Sequence, residues 1–153
     1  MTRRSSFLLG AAALGAGGAL AFLRLAPMAP EDWHVDPEAA ERTGRPNDYL
    51  IAPGGDREPV VTAMAPGEVL ARLDVAATVE PGVERLAGAP EEGLVTYVQR
   101  SRLMGYPDAI SLRAVPEGDG ARLTAWSRSR FGHSDLGVNR ARVERWLSAA
   151  GIE

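Results

Sequence analysis

The sequence predicts an α+β domain: an antiparallel meander sheet of four or more strands packed on two helices, preceded by one N-terminal hydrophobic helix. Three observations carry that expectation. A long apolar run opens the chain, residues 66–77 and 139–150 repeat apolar positions at helical spacing, and between them the apolar period falls to two with turn-rich breaks. Length agrees. The chain has 153 residues, one domain's worth, and with the leading segment set aside roughly 120 remain for a single core.

The elements follow in order. Met1 to Arg4 carries two arginines and no acid, and Phe7 to Leu23 is an uninterrupted run of 17 apolar or glycine residues. At 1.5 Å per residue it spans about 25 Å, the short edge of what crosses a bilayer core. Residues 1–26 therefore read as a signal anchor or signal peptide, a single-pass transmembrane helix if retained. Ala19-Leu20-Ala21 offers a small-x-small cleavage site, whereas Arg24, Pro27 and Pro30 suit a stop and exit. Thr2-Arg3-Arg4-Ser5-Ser6-Phe7-Leu8 approaches the twin-arginine export pattern, with its phenylalanine one residue late. Anchor, cleaved signal and twin-arginine signal stay open. Arginines before the run and Glu31, Asp32 and Asp36 after it place the following domain on the non-cytoplasmic side, periplasmic in a bacterium.

Residues 27–59, punctuated by Pro27, Pro30, Pro37, Pro46, Pro53 and Pro59, read as linker and irregular segment. Trp33-His34-Val35 is where this segment is expected to touch the domain, since a tryptophan is seldom left fully exposed. Asn47 to Ala52 and Val60 to Met64 are short β-type runs. The domain proper is expected over 60–153. Pro66 near a helix N1 position, with Val69, Leu70, Leu73, Ala76 and Ala77 on one face, predicts a helix over Pro66–Ala77. Val83–Leu86, Gly93–Leu103, Ala109–Val115 and Ala121–Phe131 then read as strands whose short connections demand antiparallel pairing. A last helix over Asn139–Ala150 is expected to be capped by Asn139, to bury Val143, Trp146, Leu147 and Ala150, and to end at Gly151.

Composition excludes several function classes. The chain has no cysteine, which removes disulfides, thiolate zinc, iron–sulfur clusters and a cysteine nucleophile. All 17 basic residues are arginine, so lysine Schiff-base and P-loop chemistry are absent. A net charge of −3 argues against nucleic-acid binding. That charge is unevenly spread: +3 through residue 30, −8 from Glu31 to Arg122 and +2 beyond.

The basic end holds the most informative stretch, Trp126 to Arg142. Alternation puts Arg122, Thr124, Trp126, Arg128 and Arg130 on one strand face, and Leu123, Ala125, Ser127, Ser129 and Phe131 on the other. Guanidinium groups two residues apart on a strand stand roughly 7 Å apart, a spacing that suits one bulky anion or two separate carboxylates. Arg128, Arg130, His133, Asp135, Asn139 and Arg142 are thus a candidate anion-binding set. The competing reading pairs these arginines with the acidic middle of the chain. His133, Ser134 and Asp135 are consecutive, and neighbouring side chains diverge, so they do not form a catalytic triad by themselves. Gly132 to Gly137 reads as a tight Asx- or Ser-turn loop. His34 and His133 have no metal-site spacing, and no cofactor or metal is expected.

The stretch resembles the C-terminal signature of an uncharacterised bacterial and plastid family, domain of unknown function 1499. There a strand ending Arg-Ser-x-Ser-Arg runs through Gly-x-Ser-Asp-x-Gly-x-Asn into an arginine-rich helix. The match is Ser127-Arg128-Ser129-Arg130, Gly132-His133-Ser134-Asp135, Gly137, Asn139 and Arg142, while Ala125-Trp126 stand where the signature starts with arginine. The resemblance implies a single membrane-tethered or exported domain and no particular reaction. The expectation is a non-enzymatic cell-envelope domain, tethered to the membrane by its N-terminal helix and binding a protein partner or a small anionic ligand. Two alternatives are a helix-grip-like domain for a lipid or polyketide-type ligand and a hydrolase built on His133 and Asp135.

Overall fold

The computed structural model describes residues 17–18 and 21–152. The elements in chain order are α1 (Pro30–Trp33), β1 (Asp48–Ile51), β2 (Val60–Thr62), α2 (Pro66–Thr78), β3 (Val83–Ala89), β4 (Leu94–Arg100), β5 (Pro107–Glu117), β6 (Gly120–Ser129) and α3 (Val138–Ala150), with 3₁₀ turns at Pro37–Ala39 and Pro90–Glu92. The protein is α+β, as the periodicities predict. Most of the predicted hydrophobic run, and with it the single-pass helix, lies outside the described residues. Among the described residues no helix is long and apolar enough to cross a membrane.

All six strands form one antiparallel sheet, ordered β1-β6-β5-β4-β3. β3 to β6 are the expected meander. β1 and β2 share one edge of β6: β1 pairs with residues 125–128 and β2 with 121–123. Between them Pro53, Gly54 and Gly55 force the chain out of the edge and back, which a continuous strand could not accommodate.

The inner face holds the two long helices. Val69, Leu70, Leu73, Tyr97, Ile110, Leu112, Leu123, Val143 and Trp146 are each at most 1% exposed there, and Tyr97 and Trp146 meet edge to face at 5.6 Å. Each such side chain contributes about 1.5–3 kcal/mol of apolar transfer. This interface is closed, and the larger grooves open on the outer face and rim. Among the described residues the packed sheet-to-helix interface leaves no room for the lipid-sized ligand of a helix-grip domain.

Asn139 is not the helix cap that the sequence predicts. It is fully buried inside the first turn of α3, and Asp135 caps in its place, accepting from the N–H groups of Gly137 and Asn139 at 3.1 and 2.8 Å. Gly151, at φ 67°, ends the helix as expected, and Ile152 N–H returns to the Leu147 carbonyl at 2.9 Å.

The outer face is covered too, by the segment expected as linker. Met28 and Trp33 pack on Val98 and Ala109, and Val35 and Ala40 on Leu50 and Trp126. Arginines of the sheet then hold this strap: Arg113 pairs with Asp36 and Arg122 with Glu38, while Arg100 donates to the carbonyls of Arg24 and Ala26. The acidic stretch and the sheet arginines do neutralise one another there. Residues 27–59 therefore lie largely on the domain, and include β1.

Candidate functional site

β6 divides the signature between two faces. Its alternation sends Ser127 and Ser129 inward, toward α3, and Arg128 and Arg130 outward, under the strap.

The inner half is a buried polar network. Arg142 and Asp108 form an ion pair at 2.6 Å, with side chains only 4% and 11% exposed. Arg142 also donates to Gln99 Oε1, Ser127 Oγ and Asn139 Oδ1. Asn139 Nδ2 donates to the Asn47 carbonyl and Ser129 Oγ, both at 3.0 Å, and Asn47 Nδ2 reaches the Gly132 carbonyl at 2.9 Å. Every polar group named here has a partner, so the network joins Asn47 just before β1 with β4, β5, β6 and the start of α3 into one unit. Asn139 and Arg142 are consumed by it, and Asp135 by capping.

The outer half differs. Arg128 is 7% exposed, and among the described residues no carboxylate lies within 4.0 Å of its guanidinium. The group is wedged between two indoles, 3.9 Å from the Trp126 centroid and 5.2 Å from that of Trp33. It donates to the Trp33 carbonyl at 2.7 Å and, more distantly, to Ser111 Oγ at 3.4 Å. Ser111 Oγ continues to Thr96 Oγ1 at 3.0 Å, which lies 2.9 Å from His34 Nδ1. Burial pushes the guanidinium down to about 10, with Asp48 opposing part of that effect. It is a cation at neutral pH, stabilised by aromatic faces, dipoles and the more distant charge of Asp48, with no direct salt bridge among the described residues.

Arg128 and Arg130 line a groove of about 250 Å³ together with Trp33, Arg45 and Asn47 and three acids, Asp32, Glu41 and Asp48. Arg130 donates to the Pro27 carbonyl and stands over Phe131. Neither Arg130 nor Arg45 has an acid within 4.0 Å among the described residues. Asp48 is already engaged by Arg42 at 2.8 Å and by Trp126 Nε1 at 2.9 Å. A wider rim groove of about 690 Å³ adjoins it, but there Arg42 is neutralised by Asp48 and Asp56. Three arginines and three acids line the narrower groove; Arg45, Arg128 and Arg130 have no salt-bridge partner there among the described residues, and of the acids only Asp48 is paired, with Arg42.

Of the predicted set, the structure brings Arg128 and Arg130 together, and separately Asp135, Asn139 and Arg142. His133 joins neither: it is exposed and its side chain makes no hydrogen bond among the described residues. Ser134 and Asp135 bond backbone N–H groups, as a Ser- and Asx-turn loop would. A hydrolytic set around His133 is therefore not assembled. Among the described residues no three potential metal-binding side chains gather. Arg45 escaped the sequence reading because an arginine in a proline-rich stretch carries no spacing signal. Asp108 is a carboxylate that the sequence offers to the strand arginines Arg128 and Arg130, but it pairs with Arg142 of α3 instead, and Gln99 escaped the reading because its partner lies on that helix.

The family model described as protein of unknown function (DUF1499) matches residues 30–149, and the chain belongs to that family. No curated protein matches it. Among solved structures, that of protein CV1439 from Chromobacterium violaceum is similar, at 13% identity, over 69% of this chain and 95% of that one, with a TM-score of 0.45.

Proposed function

Starting from membership of a family with no assigned reaction, we propose that the protein is a non-enzymatic envelope domain that binds a small anion. A carboxylate or phosphate group would sit in the groove of Arg45, Arg128 and Arg130. The observation that carries this reading is the buried Arg128 guanidinium with no carboxylate partner. A desolvated cation is costly unless something neutralises it, and an anion held by charge-assisted bonds would do so. The tether belongs to the same proposal. The 17-residue apolar run and the flanking charges support an anchored domain on the non-cytoplasmic side, with export after cleavage as the alternative.

Trp33 and Trp126 flank Arg128, so their fluorescence reports occupancy. Titrating the full chain in mild detergent with inorganic phosphate, and separately with citrate, should give a saturable change. The double variant Arg45→Gln/Arg130→Gln should abolish it while leaving the far-ultraviolet circular dichroism unchanged. Unsaturable responses, or equal responses in the folded variant, would show that Arg128 is neutralised by the protein alone.

A further inference from the structure

We propose that the end of the domain at which the N-terminal segment enters is a docking surface for an anionic phospholipid bilayer. This rests on the tether reading above, and adds to it which face of the domain meets the lipid. Arg100 pairs with Pro107 and Asp108 with Ser129, so loops 101–106 and 130–137 leave the sheet at the same end. The entering chain joins them. Arg24 Nη2 donates to the Leu103 carbonyl at 2.6 Å, Arg100 Nη1 to the Arg24 carbonyl at 2.9 Å, and the Tyr106 and Phe131 rings stand 6.3 Å apart. Arg102 and Val138 line one groove between the two loops.

Phe22, Leu25, Leu103, Leu136 and Val138 are 50–93% exposed at this end. Phe22 belongs to the apolar run itself; the other four are half of the eight large apolar side chains so exposed among the described residues. Single exposed apolar residues are ordinary, but a group of them marks a contact surface. Leu136 adds an independent sign. It is the one non-glycine at positive φ among the described residues, at 54°, and it is 93% exposed. A branched aliphatic residue in the left-handed region is strained, and no burial within the domain offsets the strain.

Charge points the same way. Residues 101–106 contain no acid, Asp135 of the second loop is engaged by α3 N–H groups and Glu80 of the groove by Arg145, while Arg24, Arg102 and Arg140 accompany the apolar group. At the opposite end, the β3–β4 and β5–β6 turns carry Glu91, Glu92, Glu117 and Asp119. A cationic, apolar end and an anionic far end suit anionic phospholipid in the leaflet that faces the domain. Chain continuity supplies the last constraint. The apolar run ends at Leu23, and the next residue is already bonded to Arg100 and Leu103, so a run embedded in lipid leaves no spacer between bilayer and domain.

The chain has no cysteine, so single-site labelling is direct. Full-length Ala12→Cys, Leu103→Cys, Leu136→Cys and Asp119→Cys variants, each carrying an environment-sensitive fluorophore, would be reconstituted in phosphatidylcholine–phosphatidylglycerol vesicles. Labels at 12, 103 and 136 should be quenched by spin-labelled lipid, and the label at 119 only by aqueous iodide. A label at 12 in lipid with those at 103 and 136 in water would overturn the docking surface and leave the tether standing. A label at 12 in water would remove the tether, and this proposal with it. Labels at 103 and 136 shielded from both quenchers would assign the surface to a protein partner instead.

Discussion

Replacing Arg142 by methionine should unfold the domain far more readily than its position near a helix start suggests. The substitution keeps most of the aliphatic stem but removes four hydrogen bonds and leaves Asp108, 8% exposed, without its counter-charge. Breaking one side of a buried pair costs about 3–5 kcal/mol, which for a domain of this size lowers Tm by roughly 10–20 °C. Urea unfolding of the full chain in mild detergent, followed by circular dichroism, reads the loss as a lower midpoint at constant slope. The double variant Arg142→Met/Asp108→Leu removes the stranded carboxylate as well, and should recover to within about 2 kcal/mol of the parent. A loss below about 1 kcal/mol in the single variant would refute the reasoning. The guanidinium would then be replaceable by solvent, and Arg142 would return to the pool of ligand-binding arginines.

Three further outcomes follow from local geometry. Gly88 sits at φ 73°, and a Cβ there would lie 2.2 Å from the Leu94 carbonyl oxygen and 2.8 Å from His34 Cε1, so Gly88→Ala should cost more than about 1 kcal/mol in urea unfolding and loosen the strap to limited proteolysis. Leu136→Gly should raise stability by about 0.5–1 kcal/mol by relieving the left-handed strain, while weakening lipid quenching of a label at position 103. Burial, together with a 2.6 Å bond to Glu144, pushes the Tyr49 hydroxyl up to about 12, and burial with a bond to Asp74 raises Tyr97 further. A raised phenol favours the protonated fold, so this contribution is intact below pH 10 and fades as pH rises through about 12. Tyr49→Phe should therefore flatten the stability loss between those values, measured by urea midpoints across the alkaline range.

How much of this was legible beforehand depends on the range of the forces involved. The helix at Pro66 and the four-strand meander were readable because apolar period and turn chemistry act over a few residues. The split of Ser127-Arg128-Ser129-Arg130 between two faces followed from alternation alone, but not which face was buried polar and which was open. That was decided when α3 laid Asn139 and Arg142 over the serines. The cap was misassigned because Asp135 and Asn139 are both good caps, and only the buried position of Asn139 separates them. The strap read as linker because proline prevents regular structure without preventing burial.

The sequence by itself determined the fold class, the order of the β3–β6 meander, the signature and an arginine concentration beside the last helix. Tertiary structure decided what those arginines do, since charge pairing is set by distance in space and not along the chain. It placed Asp108, 34 residues from Arg142, at 2.6 Å and spent that arginine on the fold. It buried Arg128 between two indoles with no carboxylate within 4.0 Å among the described residues, and so left that charge without a salt-bridge partner.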